Sequence, residues 1–354
     1  MGNLLLRSSL LFSLSLASLG FVACGGADPS APSGSDPSNV THAEPPDRSD
    51  VVSIGGATRW LAMSHVYLGT VDPKTGESSP EAWRGLGFDL DHRVTSAEDS
   101  LTNHDTCARV VGAPPGVLTD GDDGIDNAFG AHFMQTVKSL DSDIERVANA
   151  GVDSGDETIL LRLDNVGPDD NAGVPGALYV ARDLGGAPTW TQSDHWPVVS
   201  SSLVDGVDLS KPVASFPAGY MTGGVWVSGP LEATTAKITF RVGSAPFALS
   251  PDAMQIVVRT SDGSGTISGF TRATDLVASL AQGAGALGLC PGNATFDQFA
   301  QMVTASADLV ADAPGFQDDT RSCDALSFGI GVTMKPTGAP TSVVPAQPAA
   351  GGCE

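Results

Sequence analysis

Alternation of apolar and polar residues recurs along the chain and predicts β-strands. Residues 237–242 alternate polar and apolar side chains, and residues 326–334 alternate large and small ones. Further candidate strands cover residues 60–68, 83–90, 158–164, 177–182 and 254–259. Because turns rich in Gly, Pro and Asp separate these stretches, we predict an antiparallel sheet with one face turned toward a core.

Three stretches have the helical period instead. Residues 128–150 place apolar side chains three or four positions apart, and Asp126 or Asn127 can cap their start. Residues 271–282 and 294–310 form two shorter stretches of the same kind. Strands and helices do not alternate regularly, which argues against a doubly wound parallel fold. The predicted fold class is mainly β (α+β), with an antiparallel β-sandwich-like core and about three packed helices.

The N-terminus has the organisation of an export signal. Arg7 precedes an apolar run over residues 10–22, which is too short to span a bilayer, and Ala23 and Cys24 follow it. A small residue before a cysteine at the end of such a run resembles the lipobox of bacterial lipoprotein signal peptides. The resemblance implies cleavage after Ala23 and lipidation of Cys24. The alternative is an ordinary signal peptide with an incidental cysteine.

Composition divides the chain into four predicted parts. Residues 1–23 form the signal peptide, and residues 24–50 carry the lipidated cysteine and a flexible Pro/Ser/Gly-rich tether. Residues 51–334 form a single β-rich domain with helices, and residues 335–354 form a Pro/Ala/Gly-rich tail. An Asp directly after the lipidated cysteine would resemble an inner-membrane retention signal, but the residue at that position is Gly25. We therefore expect lipid anchoring in the cell envelope, with the outer membrane favoured and its periplasmic or surface side left open.

The charge balance narrows the range of partners. The chain has 41 acidic and 18 basic residues, a net charge of −23 and an isoelectric point near 4.3. So negative a surface disfavours nucleic acids and anionic lipid headgroups. The hydrophobic fraction of 41% is enough to bury a core. We expect a membrane partner through the lipid and no nucleic acid, and the sequence leaves a protein or a glycan open.

Cysteine usage fits an exported protein. Beyond Cys24, the chain contains Cys107, Cys290, Cys323 and Cys353, and no pair has zinc-site spacing. Export favours disulfides over free thiols, and four cysteines allow three pairings. Because Cys290 and Cys323 flank the third predicted helix, we predict that they pair, which leaves Cys107 for Cys353.

An acidic loop before the first predicted helix is the candidate cation site. Asp120, Asp122, Asp123 and Asp126 fall within seven residues and are interleaved with Gly. Calcium favours such oxygen-rich turns, but the spacing departs from an EF-hand, since Gly124 stands where a ligand is needed. Two interpretations stay open. Other loops could complete a calcium site, or the turn could serve only to place negative charge at the helix N-terminus.

Three short motifs have counterparts in one group of bacterial proteins. Residues 87–91 read Gly-Phe-Asp-Leu-Asp, residues 123–130 read Asp-Gly-Ile-Asp-Asn-Ala-Phe-Gly, and residues 226–229 read Trp-Val-Ser-Gly. With the lipobox, these motifs resemble a group of myxobacterial secreted lipoproteins to which no activity is assigned. The Gly-Ile-Asp-Asn part also resembles a metal-binding motif of myxobacterial secreted proteins, whose second cysteine has no counterpart here. The resemblance implies a location and a related fold, and it transfers no catalytic residue.

Catalytic motifs are weak in this sequence, which has no nucleophile elbow, zinc-protease motif or P-loop. Trp190 and Trp196 flank a polar stretch that can stack on a sugar, or that can pin a loop to the core. Asp89 and Asp91 form a carboxylate pair of the kind that glycoside hydrolases use. We predict a non-enzymatic, lipid-anchored envelope lipoprotein with a ligand- or calcium-binding surface domain. The alternative is a secreted glycan-acting hydrolase that uses paired Asp residues.

Overall fold

The computed structural model describes residues 43–52, 55–102, 106–231, 240–241, 248–285 and 290–346. Its strands are Ala57–Tyr67 (β1), Cys107–Ala108 (β2), Glu157–Val166 (β3), Gly176–Arg182 (β4), Val198–Val199 (β5), Ala214–Phe216 (β6), Tyr220–Thr222 (β7), Val225–Val227 (β8), Phe240–Arg241 (β9), Ala248–Leu249 (β10), Ala253–Arg259 (β11), Ser264–Arg272 (β12), Asp318–Ser322 (β13), Ala325–Pro336 (β14) and Val343–Val344 (β15). Its α-helices are Asp99–Thr102 (α1), Gln135–Leu140 (α2), Ile144–Ser154 (α3), Ala273–Gly285 (α4) and Ala294–Ala305 (α5), and a π-helix spans Phe129–Met134.

Most strands belong to one curled sheet of 11 strands. Its order is β15-β5-β4-β3-β1-β14-β12-β11-β8-β7, with β6 also paired to β4. Neighbouring strands are antiparallel except for β15 beside β5. Outside this sheet, β9 pairs with β10, and β2 pairs with β13. The prediction of a mainly β fold with an antiparallel core and packed helices is confirmed.

The alternation of large and small residues along β14 shapes the centre of the sheet. Leu326, Phe328 and Ile330 are buried and belong to the main core. The small residues between them leave room for backbone to approach the other face. A Cβ atom on Gly329 would lie 2.1 Å from the carbonyl oxygen of Leu86. The segment that follows Leu86 is therefore held directly against the sheet, and it carries the Gly-Phe-Asp-Leu-Asp motif.

Helix α3 is joined to the end of β1 by buried polar groups. Glu145 Oε1 accepts hydrogen bonds from the backbone N–H groups of Leu68, Thr70 and Val71, at 2.9, 2.7 and 3.0 Å. Asn149 exchanges a donor and an acceptor bond with the backbone of Val66. These side chains satisfy backbone groups where the strand ends, as buried polar groups require.

Two element predictions need correction. The predicted helix over 128–150 is interrupted after Leu140, because Asp141 is extended and its carboxylate accepts the backbone N–H of Asp143. Such a local side-chain bond competes with helical pairing. The predicted strand over 83–90 is a short 3₁₀-helix followed by a loop, whose backbone bonds to side chains instead of a neighbouring strand. Of the predicted strand 237–242, only 240–241 lie within the described residues.

The cysteine pairing also differs from the prediction. Cys107 is bonded to Cys323, across 216 residues of sequence, beside the parallel pair of β2 and β13. Cys290 is also disulfide-bonded. The predicted pairings of Cys290 with Cys323 and of Cys107 with Cys353 are therefore wrong. The pairing depends on tertiary structure and not on spacing along the chain. Cys323 directly follows β13, which lies beside β2, and the Cys323 N–H donates to the Ala108 carbonyl.

Both ends of the described chain contact the domain. Ala43 exchanges backbone hydrogen bonds with the loops that contain Asp89 and Asp123, and Tyr220 Oη donates to the Pro46 carbonyl at 2.7 Å. At the other end, β14 continues through Pro336, and β15 extends the sheet edge. The predicted signal peptide, Cys24 and Cys353 lie outside the described residues. Among the residues described, no helix is both long and apolar enough to cross a membrane.

Candidate metal centre

Two acidic loops meet beside the small face of β14. Asp126 Oδ2 accepts the backbone N–H groups of Leu90 and Asp91, at 2.6 and 3.2 Å. The N–H of Asp126 in turn donates to the Phe88 carbonyl at 3.0 Å. These three bonds join the loop of residues 86–93 to the loop of residues 120–126, although 35 positions separate Asp91 from Asp126.

Local sequence explains why these loops can approach so closely. Gly87 has a φ of 134°, and a Cβ atom there would lie 2.9 Å from the Ile125 side chain. Asn127, next to Asp126, places its amide against the backbone of Gly329 and makes one donor and one acceptor bond, both 3.0 Å long. The pairing of β14 with β1 ends at Gly331, so Gly329 has no β1 partner on that side. The Asn127 amide bonds to its backbone N–H and carbonyl instead.

Three carboxylates converge at this junction. Asp89, Asp91 and Asp126 each offer a carboxylate oxygen, and these oxygens all lie within 4.8 Å of one another. The three residues are only 4%, 3% and 4% exposed. Oxygen ligands at this spacing suit a hard cation such as Ca²⁺, which binds carboxylates at 2.3–2.6 Å.

Hydrogen bonds orient the individual carboxylates. Asp91 Oδ2 accepts the hydroxyl of Thr106 at 2.7 Å, and Asp91 Oδ1 accepts the backbone N–H of Arg93 at 2.9 Å. Asp89 Oδ1 accepts the same N–H at 3.1 Å. Asp120 Oδ2 accepts the N–H of Thr95 at 2.5 Å. The cluster is therefore fixed by its own loops before any ligand arrives.

Asp308 adds a further buried carboxylate, contributed by the segment after α5. It accepts both the backbone N–H and the hydroxyl of Ser327 on β14. Its charge acts on the pKa of both Asp120 and Asp126. The Ser327 hydroxyl also accepts the N–H of Ala128, which ties Asp308 to the start of the π-helix.

Burial dominates the protonation of the cluster. Desolvation, and then the charges of Asp91 and Asp120, hold the pKa of Asp126 well above its usual range. Desolvation raises the pKa of Asp120 to about 9 and that of Asp308 to about 7. Burial also raises the pKa of Asp91, against hydrogen bonds from Thr106 and Arg93. Without a cation, Asp120 therefore keeps its proton near neutral pH, and ionisation of its buried neighbours is disfavoured, because like charges in a desolvated site oppose ionisation.

The structure separates the four aspartates that the sequence groups together. Asp120 and Asp126 are buried and belong to the cluster. Asp122 is exposed and pairs with Arg84 at 3.1 Å. Asp123 is exposed as well, and its backbone is in the left-handed region with a φ of 55°. Two of the four candidate ligands are therefore turned away from the buried group.

Sequence reasoning about metal binding missed Asp89, Asp91 and Asp308. The sequence suggests Asp89 and Asp91 only as an acid and base pair, because residues two positions apart along an extended segment share a face. Asp308 had a weaker signal, a single acid between apolar residues at the end of a predicted helix. Such an acid in an apolar context indicates burial, but the sequence does not say beside what.

A cavity of about 410 Å³ opens beside the cluster. Asp89 lines it together with Glu44, Arg48, His92, Tyr220 and Gln255. Asp91 and Asp126 are not among its lining residues. The cavity therefore gives a path from solvent to one edge of the carboxylate cluster, through Asp89.

Comparisons with known proteins find no match for this chain. No protein-family model matches the chain, and no curated protein or solved structure matches it.

Proposed function

We propose that this chain is a non-enzymatic, lipid-anchored protein of the cell envelope whose β-rich domain binds calcium. Its buried aspartates would hold the cation, and the lipidated Cys24 would attach the domain to the outer membrane. The observation that carries the calcium part is the convergence of Asp89, Asp91 and Asp126 within 4.8 Å, in a buried site next to a solvent-connected cavity.

Charge neutralisation supports a cation in this site. Carboxylates that are ionised and buried are strongly disfavoured unless a proton or a cation compensates them. Three carboxylates with fixed positions give calcium several of the six to eight oxygens that it takes. Backbone carbonyls of the two loops and water from the cavity could supply the others. Calcium then replaces the protons that these groups would otherwise carry.

The geometry favours binding over hydrolysis. A glycoside hydrolase needs two carboxylates that both face the substrate. Of the cluster, only Asp89 lines the cavity, and Asp91 is 3% exposed and bonded to Thr106. Asp89 and Asp91 therefore do not present two carboxylates to a substrate in this cavity, so we propose cation binding rather than hydrolysis by this pair.

Calorimetric titration of the purified full chain with calcium tests this part of the proposal. We expect saturable binding to one site, with a dissociation constant of about 10⁻³ M or tighter and with release of protons. Asp91→Asn keeps an oxygen that can accept the Arg93 N–H but lowers the site charge, so it should abolish binding. Asp205→Asn, in an exposed acidic loop, is the matched control and should bind normally. Equal binding by both variants would contradict the site.

Metabolic labelling of expressing cells with a palmitate analogue tests the lipid anchor. We expect the wild-type chain to be labelled, and Cys24→Ala to be unlabelled and released from the membrane fraction. Equal labelling of the two would contradict lipidation at Cys24. It would leave the calcium site untouched, because Asp89, Asp91 and Asp126 lie far from Cys24 in the sequence and do not depend on the lipid.

A further inference from the structure

Residues 43–48, here called the strap, lie against both acidic loops of the calcium site. The Ala43 N–H donates to the Asp123 carbonyl at 2.8 Å, and the Asp89 N–H donates to the Ala43 carbonyl at 2.9 Å. Asp89 and Asp123 stand on different loops of that site. A single residue of the strap therefore bridges the two loops that carry the three converging carboxylates.

The other end of the strap is held by the domain. Tyr220 Oη donates to the Pro46 carbonyl at 2.7 Å. The Arg48 guanidinium lies 5.8 Å from the centroid of the Tyr220 ring, and it donates to the Ala172 carbonyl. The strap is therefore docked at both ends, on the acidic loops at Ala43 and on other parts of the fold at Pro46 and Arg48.

The strap also forms part of the wall of the cavity of about 410 Å³. Glu44, Pro45 and Arg48 line this cavity together with Asp89. Asp89 is the residue through which the cavity reaches the carboxylate cluster. A cation that enters or leaves along this path therefore passes the strap.

The position of the strap and the position of the carboxylates depend on each other. Asp89 is 4% exposed, so if the strap leaves, a buried N–H loses the acceptor that Ala43 supplies. The loop of Asp89 then loses one of its ties to the loop of Asp126. Conversely, a cation shared by Asp89 and Asp126 holds the two loops at the spacing that Ala43 bridges. By linkage, each event favours the other by the same factor.

We propose that docking of the strap and binding of calcium are coupled, so that calcium stabilises the docked strap and the docked strap strengthens calcium binding and slows calcium release. This inference rests on the proposed calcium site and adds regulation to it. The strap follows the part of the chain that would connect the domain to the lipidated Cys24. Release of the strap would lengthen that connection, and calcium would oppose the release.

Limited trypsin digestion of the full chain tests the coupling without any substitution. Cleavage after the exposed Arg48 requires the strap to undock, so its rate follows the undocked population. Cleavage after Lys74, in another exposed loop, is the internal control for effects of calcium on the protease and on global unfolding. We expect calcium to slow cleavage after Arg48 at least about fivefold relative to cleavage after Lys74. An unchanged ratio would overturn the coupling.

Tyr220→Phe tests whether the strap is docked as the structure shows. It removes the hydroxyl that donates to Pro46, so cleavage after Arg48 in EDTA should become about fivefold faster relative to cleavage after Lys74. Tyr179→Phe removes a bond of the same kind, to the Leu209 carbonyl at 3.0 Å, and should leave that ratio unchanged. Equal ratios in the two variants would overturn the docked strap.

Ala43→Pro tests the reciprocal effect on calcium, measured by calorimetry. It removes the N–H that bonds to Asp123 and leaves the three carboxylates in place. The dissociation constant for calcium should increase at least about fivefold, and release into a chelator should be faster. Ala187→Pro, in another exposed loop, is the matched control and should bind as the wild type does. Thermal unfolding checks that both variants are folded.

The outcomes separate this coupling from the calcium site itself. An unchanged calcium affinity in folded Ala43→Pro would overturn the coupling. A wild-type chain that binds no calcium would overturn the calcium site and the coupling together. Calcium binding by the wild type with an unchanged cleavage ratio would overturn the coupling alone.

Discussion

The pKa values of aspartates shift in opposite directions in two acidic regions of this domain. In the loop of residues 205–211, Asp205 is exposed, and its pKa falls to about 2 because it accepts backbone N–H groups and pairs with Lys211 at 2.9 Å. In the buried cluster, Asp126 accepts two N–H groups as well, yet desolvation and neighbouring carboxylates raise its pKa.

The difference lies in what compensates the negative charge. Water, N–H donors and a lysine stabilise ionised Asp205. Asp126 has lost its water, and its neighbours include Asp89 and Asp91. Two backbone donors do not outweigh burial beside like charges. A buried group of this kind needs protons or a cation, and the exposed loop needs neither.

Removing the Cys107–Cys323 disulfide should have the largest effect on stability. The bond closes a long loop and holds the segments from which Thr106 and Gln317 contact Asp91. Cys107→Ser/Cys323→Ser should lower the free energy of unfolding by on the order of 5 kcal/mol in the chain-entropy model. It should also weaken calcium binding. Urea unfolding and calorimetry check the two effects, and a variant of unchanged stability would contradict the structural role.

Asp126→Ala should destabilise the calcium-free protein by about 2–4 kcal/mol, because the buried N–H groups of Leu90 and Asp91 lose their acceptor. Asp126→Asn keeps an acceptor oxygen for the two N–H groups and is uncharged, so it should cost less than half as much. Urea unfolding in EDTA measures both. Equal losses for the two variants would contradict the role of the acceptor oxygen.

The stability of the calcium-free protein should fall as the pH rises. Asp308 and Asp120 have folded pKa values of about 7 and 9, against 3.8 as their ordinary value, so the folded state binds more protons above pH 4. Their contribution is fully present below about pH 4 and is lost as the pH rises through 7 and 9. Melting temperatures in EDTA should therefore decline from about pH 5 to pH 9.

Asp308→Asn should flatten that decline between about pH 4 and pH 7, the range in which Asp308 is protonated in the folded state and ionised in the unfolded state. Calcium at saturation should reduce the decline as well, by holding the ligands ionised. A calcium-free protein that gains stability between pH 5 and pH 9 would contradict the assignment of raised pKa values.

The smallest effect is expected at the exposed loop. Asp205→Asn should leave the urea midpoint at neutral pH nearly unchanged, because exposed ion pairs contribute little. Any contribution of the lowered pKa is present above about pH 4 and is lost as the pH falls toward the folded pKa of about 2, so the difference between Asp205→Asn and the wild type should shrink in acid. A large loss of stability at neutral pH would remove the contrast between the two regions.

Much of the fold is predictable from local pattern. The alternation over 326–334 gives β14, and the helical period over 294–310 gives the start of α5 at Ala294. The pattern fails at residues 83–90, where an apolar stretch is buried as a loop against Gly329 instead of pairing as a strand. Burial alone does not distinguish these outcomes, because both place apolar side chains inside.

The candidate site was only half predictable for a related reason. Asp120 and Asp126 are predictable because they lie in one Asp/Gly-rich loop, but the same pattern also selects Asp122, which faces solvent. Asp89 and Asp91 join the site through hydrogen bonds that close across 35 residues or more of sequence. The same long-range closure brings Cys107 to Cys323, a pairing that spacing along the chain does not reveal.

Thermal unfolding of the full chain in calcium tests the central claim most directly. The comparison is about 5 mM CaCl₂ against MgCl₂ at the same concentration and NaCl at matched ionic strength. We predict a calcium-specific rise in melting temperature, equivalent to about 2.7 kcal/mol at a hundredfold excess over the dissociation constant. The rise should vanish in Asp91→Asn and persist in Asp205→Asn. An equal response to all three salts would contradict a calcium site and leave the aspartates as a protonated cluster.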